Sequence, residues 1–326
     1  MADVRVCILG GSGFVGQHLV GRLSKAGTAC RIVTRHPERF SHLKIYPGCE
    51  LASADIFNRT ALAGQFMGCD AVINLIGILN EDSRTGSFRK IHVELVDTLV
   101  DACRDAGVPR LLHMSALNAS EANGTSQYLR TKGEGENRAH THGSASMQVT
   151  SFRPSVIFGP GDSFFNRFAQ LLRFTPGLFP LACPETRFAP VYVGDVAEAF
   201  SRALKNRHTF GKHFNLCGPR SFSLRELVLY TAQMLNLQRR VVGLGDRTSQ
   251  LQARLLEHLP GKPFSQDNYL SLQTDSTCEE NGFPDLGIKP KDIDEIVPLY
   301  LGGKNYRGRF QRYRSTPARS SESSTS

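Results

Sequence analysis

The stretch Val4-Arg5-Val6-Cys7-Ile8-Leu9-Gly10-Gly11-Ser12-Gly13-Phe14-Val15-Gly16 decides how the rest of the chain is read. A short β-branched run reads as a strand over Val4 to Leu9. It passes without a spacer into glycines at the spacing Gly10-x-x-Gly13-x-x-Gly16, and a helical rhythm opens at once. Glycine there permits a tight turn and close approach of backbone to a ligand. The helix beyond presents free N–H groups and the positive end of its dipole, which favour an anion. A pyrophosphate answers that description, so Gly10, Ser12, Gly13, Phe14, Val15 and Gly16 are candidate dinucleotide-binding residues. The plain alternative is a Gly-rich structural turn.

Outward from this turn the first 157 residues alternate short apolar runs with longer helical patterns, the mark of repeated βαβ units around a parallel sheet. Strands are expected at Val4 to Leu9, Ala29 to Thr34, Cys49 to Ser53, Ala71 to Leu75, Arg110 to Ser115 and Gln148 to Phe152. Helices are expected at Gly13 to Lys25, Thr60 to Phe66, Phe88 to Ala106 and Ser126 to His142, the third with Ile91, Leu95, Leu99, Ala102 and Cys103 in an i, i+4 rhythm. The fold class is therefore α/β, a doubly wound parallel sheet covered on both faces. After Arg153-Pro154 the pattern breaks into Gly/Pro-rich loops. Helices return at Val196 to Lys205 and at Leu224 to Leu235, the latter behind Ser223 as N-cap with Glu226 three residues on. The expected domains are 1–157 for nucleotide binding, 158–303 as a smaller irregular C-terminal substrate or partner lobe from which about 190–205 returns to the first domain, and a tail at 304–326.

Composition excludes other classes. With 326 residues, 40% hydrophobic and 21% charged, the chain has material for a sizeable core, and no apolar run approaches the ~18 to 20 residues of a membrane span. The beginning of the sequence lacks an export signal, so a cytoplasmic protein is expected. The eight cysteines are scattered, with no C-x-x-C pair, and read as buried free thiols in a reducing compartment. No metal site is expected: His140-x-His142 has no third ligand in sequence reach and reads as solvated or capping. Of the net charge of +9, the tail carries +5, from Lys304, Arg307, Arg309, Arg312, Arg314 and Arg319 against Glu322. A Ser/Arg-rich segment without packing residues reads as disordered. Its expected role is either a solvated tail or peripheral contact with an anionic surface on the inner face of a membrane or with a membrane complex, rather than nucleic acid.

At the end of the second strand, where an acidic reader of the ribose 2′-hydroxyl would stand, the sequence has Thr34-Arg35-His36, with Arg39 following. A guanidinium pairs with a 2′-phosphate, so Arg35 favours NADP(H) over the alternative NAD(H). A solvated surface arginine is the bland reading. Tyr128 and Lys132, four apart on a helix, project from one face. An ammonium near a phenol stabilises its ionised form and is expected to bring it toward neutral pH as a proton carrier. Ser115, at the end of the fifth strand, is a candidate to polarise a substrate carbonyl or alcohol. Ser115, Tyr128 and Lys132 are thus the candidate catalytic set, and a surface helix is the alternative for the last two.

Together these residues resemble the short-chain dehydrogenase/reductase superfamily in its extended or atypical branch, a Rossmann fold, over about residues 4 to 300. The resemblance rests on Gly10-x-x-Gly13-x-x-Gly16, Asp55-Ile56, Asn74-Leu75-Ile76-Gly77, Ser115, Tyr128-x-x-x-Lys132, Arg153-Pro154 and Pro190 to Ala197. It implies that Asp55 and Ile56 flank the adenine, that Leu75, Ile76 and Gly77 line the cofactor, that Lys132 holds the nicotinamide ribose, and that Pro154, Ser155, Val156 and Ile157 lie near the nicotinamide. The run Ser155 to Ala169, with Asn215 to Pro219 and Leu224 to Leu227, is similar to the NADPH-binding accessory subunit of respiratory complex I and its free-standing bacterial relatives. That narrower resemblance implies a tightly held NADPH with a structural or assembly role. His92 stands where many extended members carry Asn, and its role, proton path or packing, is open. Two classes follow: an oxidoreductase moving hydride between nicotinamide and a carbonyl, alcohol or quinone-like (ubiquinone-type) small molecule, or an NADPH-holding factor of a respiratory membrane complex. A nucleotide-sensing regulator is a third, weaker reading.

Overall fold

The computed structural model of the chain describes residues 4–82, 86–144, 146–259 and 262–302. The expected tail, 304–326, lies outside the described residues. The first half runs β1 (Arg5–Leu9), α1 (Phe14–Lys25), β2 (Ala29–Thr34), β3 (Cys49–Ser53), α2 (Arg59–Phe66), β4 (Ala71–Asn74), α3 (Leu95–Asp105), β5 (Arg110–Met114), α4 (Gln127–Gly143) and β6 (Gln148–Pro154). The second half runs β7 (Ile157–Phe158), α5 (Phe164–Phe174), β8 (Leu178–Leu181), β9 (Arg187–Phe188), β10 (Val191–Tyr192), α6 (Val193–Ala203), β11 (His213–Leu216), β12 (Phe222–Ser223), α7 (Leu224–Met234), β13 (Arg240–Gly243), α8 (Asp246–Leu256), α9 (Gln266–Ser271) and α10 (Ile293–Tyr300). Among the described residues no helix is long and apolar enough to cross a membrane.

The central sheet is parallel throughout, in the order β11-β6-β5-β4-β1-β2-β3. Its strands are apolar on successive positions because both faces are covered. Val6 and Ile8 turn to a layer built on α1 and α6, with Leu19, Leu23, Val196 and Phe200. Cys7 and Leu9 turn to the other layer, with Leu62 and Phe66 of α2, Leu99 and Cys103 of α3, and Ala139 of α4. Six of the seven strands come from the first half of the chain. The seventh, β11, pairs with β6 from beyond residue 157, and α6 packs on α1, so the sheet layer draws on the second half at two places. A third cluster, with Phe158, Phe165, Leu172, Leu227 and Val297, is the core of the smaller lobe.

The order in which strands are added reverses between β1 and β4: β2 and β3 lie on one side, β5 and β6 on the other. A crevice opens at the carboxyl ends of the strands on either side of such a switch, and ligands of open α/β sheets bind there. The glycine turn after β1 and the segment 75–77 after β4 border it.

Candidate active site

The glycine turn is built to leave space. Gly10 has φ +78°, and a Cβ there would fall 3.1 Å from the Leu75 carbonyl carbon. At Gly16 a Cβ would lie 2.3 Å from the Gly10 carbonyl oxygen, so this glycine lets α1 pack onto the turn. Gly13 differs: it is exposed, and its Cβ would meet only the Gly10 oxygen, at 3.2 Å. Gly13 is also the N-cap of the twelve-residue α1, which has no side-chain cap and no acidic residue in its first turn. The positive end of that helix is therefore uncompensated above an open cradle, which fits a dinucleotide pyrophosphate. Phe14 and Val15 are partly buried beside it, and Gln17 holds the turn by donating to the Ser12 carbonyl at 2.9 Å.

Arg35 and Arg39 follow β2, both exposed, and neither guanidinium has a hydrogen-bond or ion-pair partner among the described residues. Asp55, exposed after β3, accepts the Phe57 N–H at 3.0 Å, and Ile56 packs on the core. Leu75 and Ile76 are partly buried, and a Cβ on Gly77 would lie 3.5 Å from Lys132 Nζ and 3.6 Å from His92 Nε2. The residues expected along the cofactor and the lysine expected at its ribose thus converge. Pro154 ends β6, its carbonyl accepting the Leu117 N–H at 3.0 Å, and the Val156 carbonyl accepts the Val191 N–H at 2.9 Å.

Ser126 caps α4 by accepting the Leu129 N–H, which places Tyr128 and Lys132 one turn apart. Lys132 is 4% exposed and donates from Nζ to the Met114 carbonyl at 2.6 Å. Burial lowers its pKa to about 8, against a smaller opposing pull from Glu136. Tyr128 is half-buried, edge-on to the rings of His92 at 5.6 Å and Phe88 at 6.0 Å. Its phenol is pushed up to about 12 by burial and by the Asp267 carboxylate. The expectation that Lys132 brings the tyrosine toward neutral pH is corrected here, because the negative neighbour and the loss of solvent decide the direction. Asp267, on α9, accepts the backbone N–H of Gln127 at 2.7 Å and of Tyr128 at 3.2 Å.

Ser115 is also reassigned. Its buried hydroxyl donates to Glu136 Oε2 at 2.6 Å rather than facing an open crevice. Glu136, fully buried on α4, also accepts from Arg153 Nε at 2.9 Å on both oxygens and from His213 Nδ1 at 2.5 Å. Burial alone would raise its pKa, but these donors outweigh it and hold the carboxyl at about 2. His140 is not a solvated residue: its Nε2 lies 3.0 Å from Ser151 Oγ, its ring 4.2 Å from that of His213, and burial lowers its pKa to about 4. Ligand atoms of Glu136, His140 and His213 lie within 4.8 Å of one another, a grouping brought about by β11 that the local His-x-His spacing does not reveal.

His92 lies on a π-helical turn, Lys90–Glu94, ahead of α3. Its Nε2 accepts the Ile78 N–H at 3.1 Å, and its Nδ1 lies 3.0 Å from Thr131 Oγ1. Burial, with the Lys132 charge adding, lowers its pKa to about 2. His92, kept uncharged by burial, ties the segment beyond Gly77 to α4 through these two contacts. Among the cysteines, Cys217 and Cys278 form a disulfide across 61 positions, which corrects the reading of eight free thiols; Cys7, Cys30, Cys49, Cys69, Cys103 and Cys183 are free. Its spacing carries no motif, because the end of β11 and a segment of the small lobe are joined only by the fold.

The model of the NAD dependent epimerase/dehydratase family matches residues 6–217. The chain is 25% identical over 306 residues to the mitochondrial NADH-ubiquinone oxidoreductase 40 kDa subunit of Neurospora crassa, covering 92% of this chain and 79% of that protein. It is 29% identical over 196 residues to a ceramide reductase of Caulobacter vibrioides, covering 59% of this chain and 58% of that protein. Among solved structures, an NADPH-dependent quinone oxidoreductase of Escherichia coli complexed with NADPH superposes with a TM-score of 0.73 at 17% identity, over 91% of this chain and 99% of that one, a likeness of fold.

Proposed function

From the premise that this chain belongs to the NAD dependent epimerase/dehydratase family, we propose that it binds NADP(H) across the β1/β4 crevice and reduces a carbonyl or quinone-like small molecule. The glycine turn and α1 would take the pyrophosphate, Arg35 and Arg39 the 2′-phosphate, Asp55 and Ile56 the adenine side, and Leu75 to Gly77, Lys132, Pro154 and Val156 the nicotinamide half. Bound there, the nicotinamide supplies hydride. The chain's own part is the proton. With its phenol held near 12, Tyr128 keeps its proton at neutral pH. It is set to donate from Oη to an oxygen that gains charge as its carbon is reduced, whereas alcohol oxidation would need the phenolate. Lys132, titrating near 8, is mostly cationic at neutral pH and stands at the Gly77 backbone, where it would orient the ribose. The placement of Tyr128 and Lys132 one turn apart on α4, with Lys132 Nζ at the Gly77 backbone, is the observation that carries this reading. NADPH oxidation with carbonyl and quinone acceptors tests it: Tyr128→Phe should cut turnover by about 10² to 10⁴ and leave NADPH affinity unchanged.

The commitment of Ser115 to Glu136 favours a second reading, a nucleotide-holding factor of a respiratory membrane complex, with the basic tail as its contact to an anionic surface. In that case Tyr128→Phe leaves the protein's role intact, and only variants that expel the nucleotide impair it.

A further inference from the structure

We infer that Asp267 is a positioning residue for Tyr128, carried to it by a strap, residues 262–278, that the small lobe lays over the exit of β4 and the start of α4. The inference rests on the reductase reading, in which the state of the Tyr128 phenol sets the direction of proton transfer. The strap is fastened at both ends and in its middle. Lys262 Nζ donates to the Glu81 carbonyl at 2.7 Å and Ser265 Oγ lies 3.0 Å from Asn80 Oδ1, both on the segment that follows Gly77. Ser271 Oγ lies 2.8 Å from Ser126 Oγ, and Cys278 is bonded to Cys217. Between these points Asp267, in the first turn of α9, spends its two carboxylate oxygens on the N–H groups of Gln127 and Tyr128. Those are orphan donors of α4, so the carboxylate stands on the backbone of the residue whose phenol it influences.

A carboxylate in this place does two things. It completes the α4 N-terminus beside the Ser126 cap, fixing where Tyr128 starts its turn, and it sets a negative charge against formation of a phenolate. The other groups around the phenol do not offset it. His92, from the π-helical turn, is neutral; Lys132, one turn further along α4, is drawn to the Met114 carbonyl; and Glu81, on the segment under the strap, acts on Asp267 in the same sense as burial by disfavouring its charged form. Docking of the strap thereby makes a phenolate at Tyr128 harder to form, and release of the strap makes it easier.

The test uses the full chain with 3-fluorotyrosine in place of tyrosine, whose lower intrinsic pKa brings phenol titration into the range where the protein stays folded, read by fluorine NMR with Tyr128→Phe to identify the resonance. Asp267→Asn keeps the shape and an accepting oxygen but removes the charge, and should move the Tyr128 midpoint down by about one pH unit, tenfold in its ionisation constant. Asp267→Glu should restore it. The pair Lys262→Met and Ser271→Ala loosens the strap at two fastenings while leaving the Ser265 cap of α9 in place, and should shift the midpoint the same way. An unmoved midpoint in both Asp267→Asn and the loosened variant overturns the inference and leaves Asp267 a helix cap. The resonance reports Tyr128 whether or not the protein turns over, so a shifted midpoint in a chain that reduces nothing refutes the reductase reading alone.

Discussion

Replacing Gly13 and Gly16, three residues apart in one turn, should separate nucleotide binding from folding. At Gly13 the backbone is extended (φ −78°, ψ 179°), a conformation valine adopts freely, and the added Cβ has one neighbour, the Gly10 oxygen at 3.2 Å. Gly13→Val should therefore fold, while its methyl groups fill the cradle over the α1 N-terminus. NADPH affinity should fall by at least about a hundredfold, near 2.7 kcal/mol. At Gly16 even alanine meets backbone at 2.3, 2.5 and 2.6 Å, atoms that cannot rotate away. Overpacking of this kind costs about 1 to 3 kcal/mol, which for a chain of this size lowers the melting temperature by roughly 2 to 10 °C. Thermal melts and calorimetric titration with NADPH on both variants give the pattern. Full NADPH affinity in Gly13→Val would place the nucleotide elsewhere, and an unchanged melt in Gly16→Ala would refute the packing of α1 onto the turn.

Arg35→Asp should reverse the preference between NADPH and NADH, since a guanidinium–phosphate contact contributes about 1.5 to 3 kcal/mol, one to two decades of affinity; because Arg35 is exposed and unpaired, the melt should not move. Calorimetry that finds NADH bound as tightly as NADPH by the unaltered protein removes the 2′-phosphate site. Glu136 titrates lower in the folded chain, near 2, than in an unfolded one, so its stabilisation is present above about pH 4.5 and is lost as pH falls from there toward 2. Chemical denaturation at a series of pH values should show that slope, and Glu136→Gln should be strongly destabilised at neutral pH and shallower across the same window, the remaining slope coming from other lowered carboxylates such as Glu198; a variant as stable as the parent at pH 7 would show that the carboxylate hub of Ser115, Arg153 and His213 holds nothing.

What the sequence reveals of this protein is what lies close together along it. The β1 strand, the glycine turn and α1 are contiguous, so their spacing already specifies a crevice, and Ser223 with Glu226 announces the start of α7 with the capping box the structure contains. The α/β alternation yields six strands to within a residue or two at each end. It misses β11, four residues that are too few to show a pattern. The candidate site divides in the same way. Tyr128 and Lys132 share a helix face and are found together, whereas Asp267 reaches Tyr128 from the small lobe, far away in sequence. Ser115 is claimed by Glu136, whose other partners, Arg153 and His213, come from β6 and β11. A charge pair inferred from i, i+4 spacing gives the right neighbours but the wrong direction, because burial and a remote carboxylate raise the phenol's pKa. The Cys217–Cys278 bond is hidden for the same reason: only the docking of the strap brings the two sulfurs together.

The central claim, that a protonated Tyr128 serves hydride transfer from NADPH, is tested most directly by single-turnover oxidation of NADPH, with and without deuterium at nicotinamide C4, against a panel of carbonyl and quinone acceptors, followed by the nicotinamide absorbance. Oxidation by at least one acceptor is expected, with a primary deuterium isotope effect, slowed about 10² to 10⁴-fold in Tyr128→Phe at unchanged NADPH affinity. A chain whose tightly bound NADPH is oxidised by no acceptor, or is oxidised equally fast without the phenol, would contradict it.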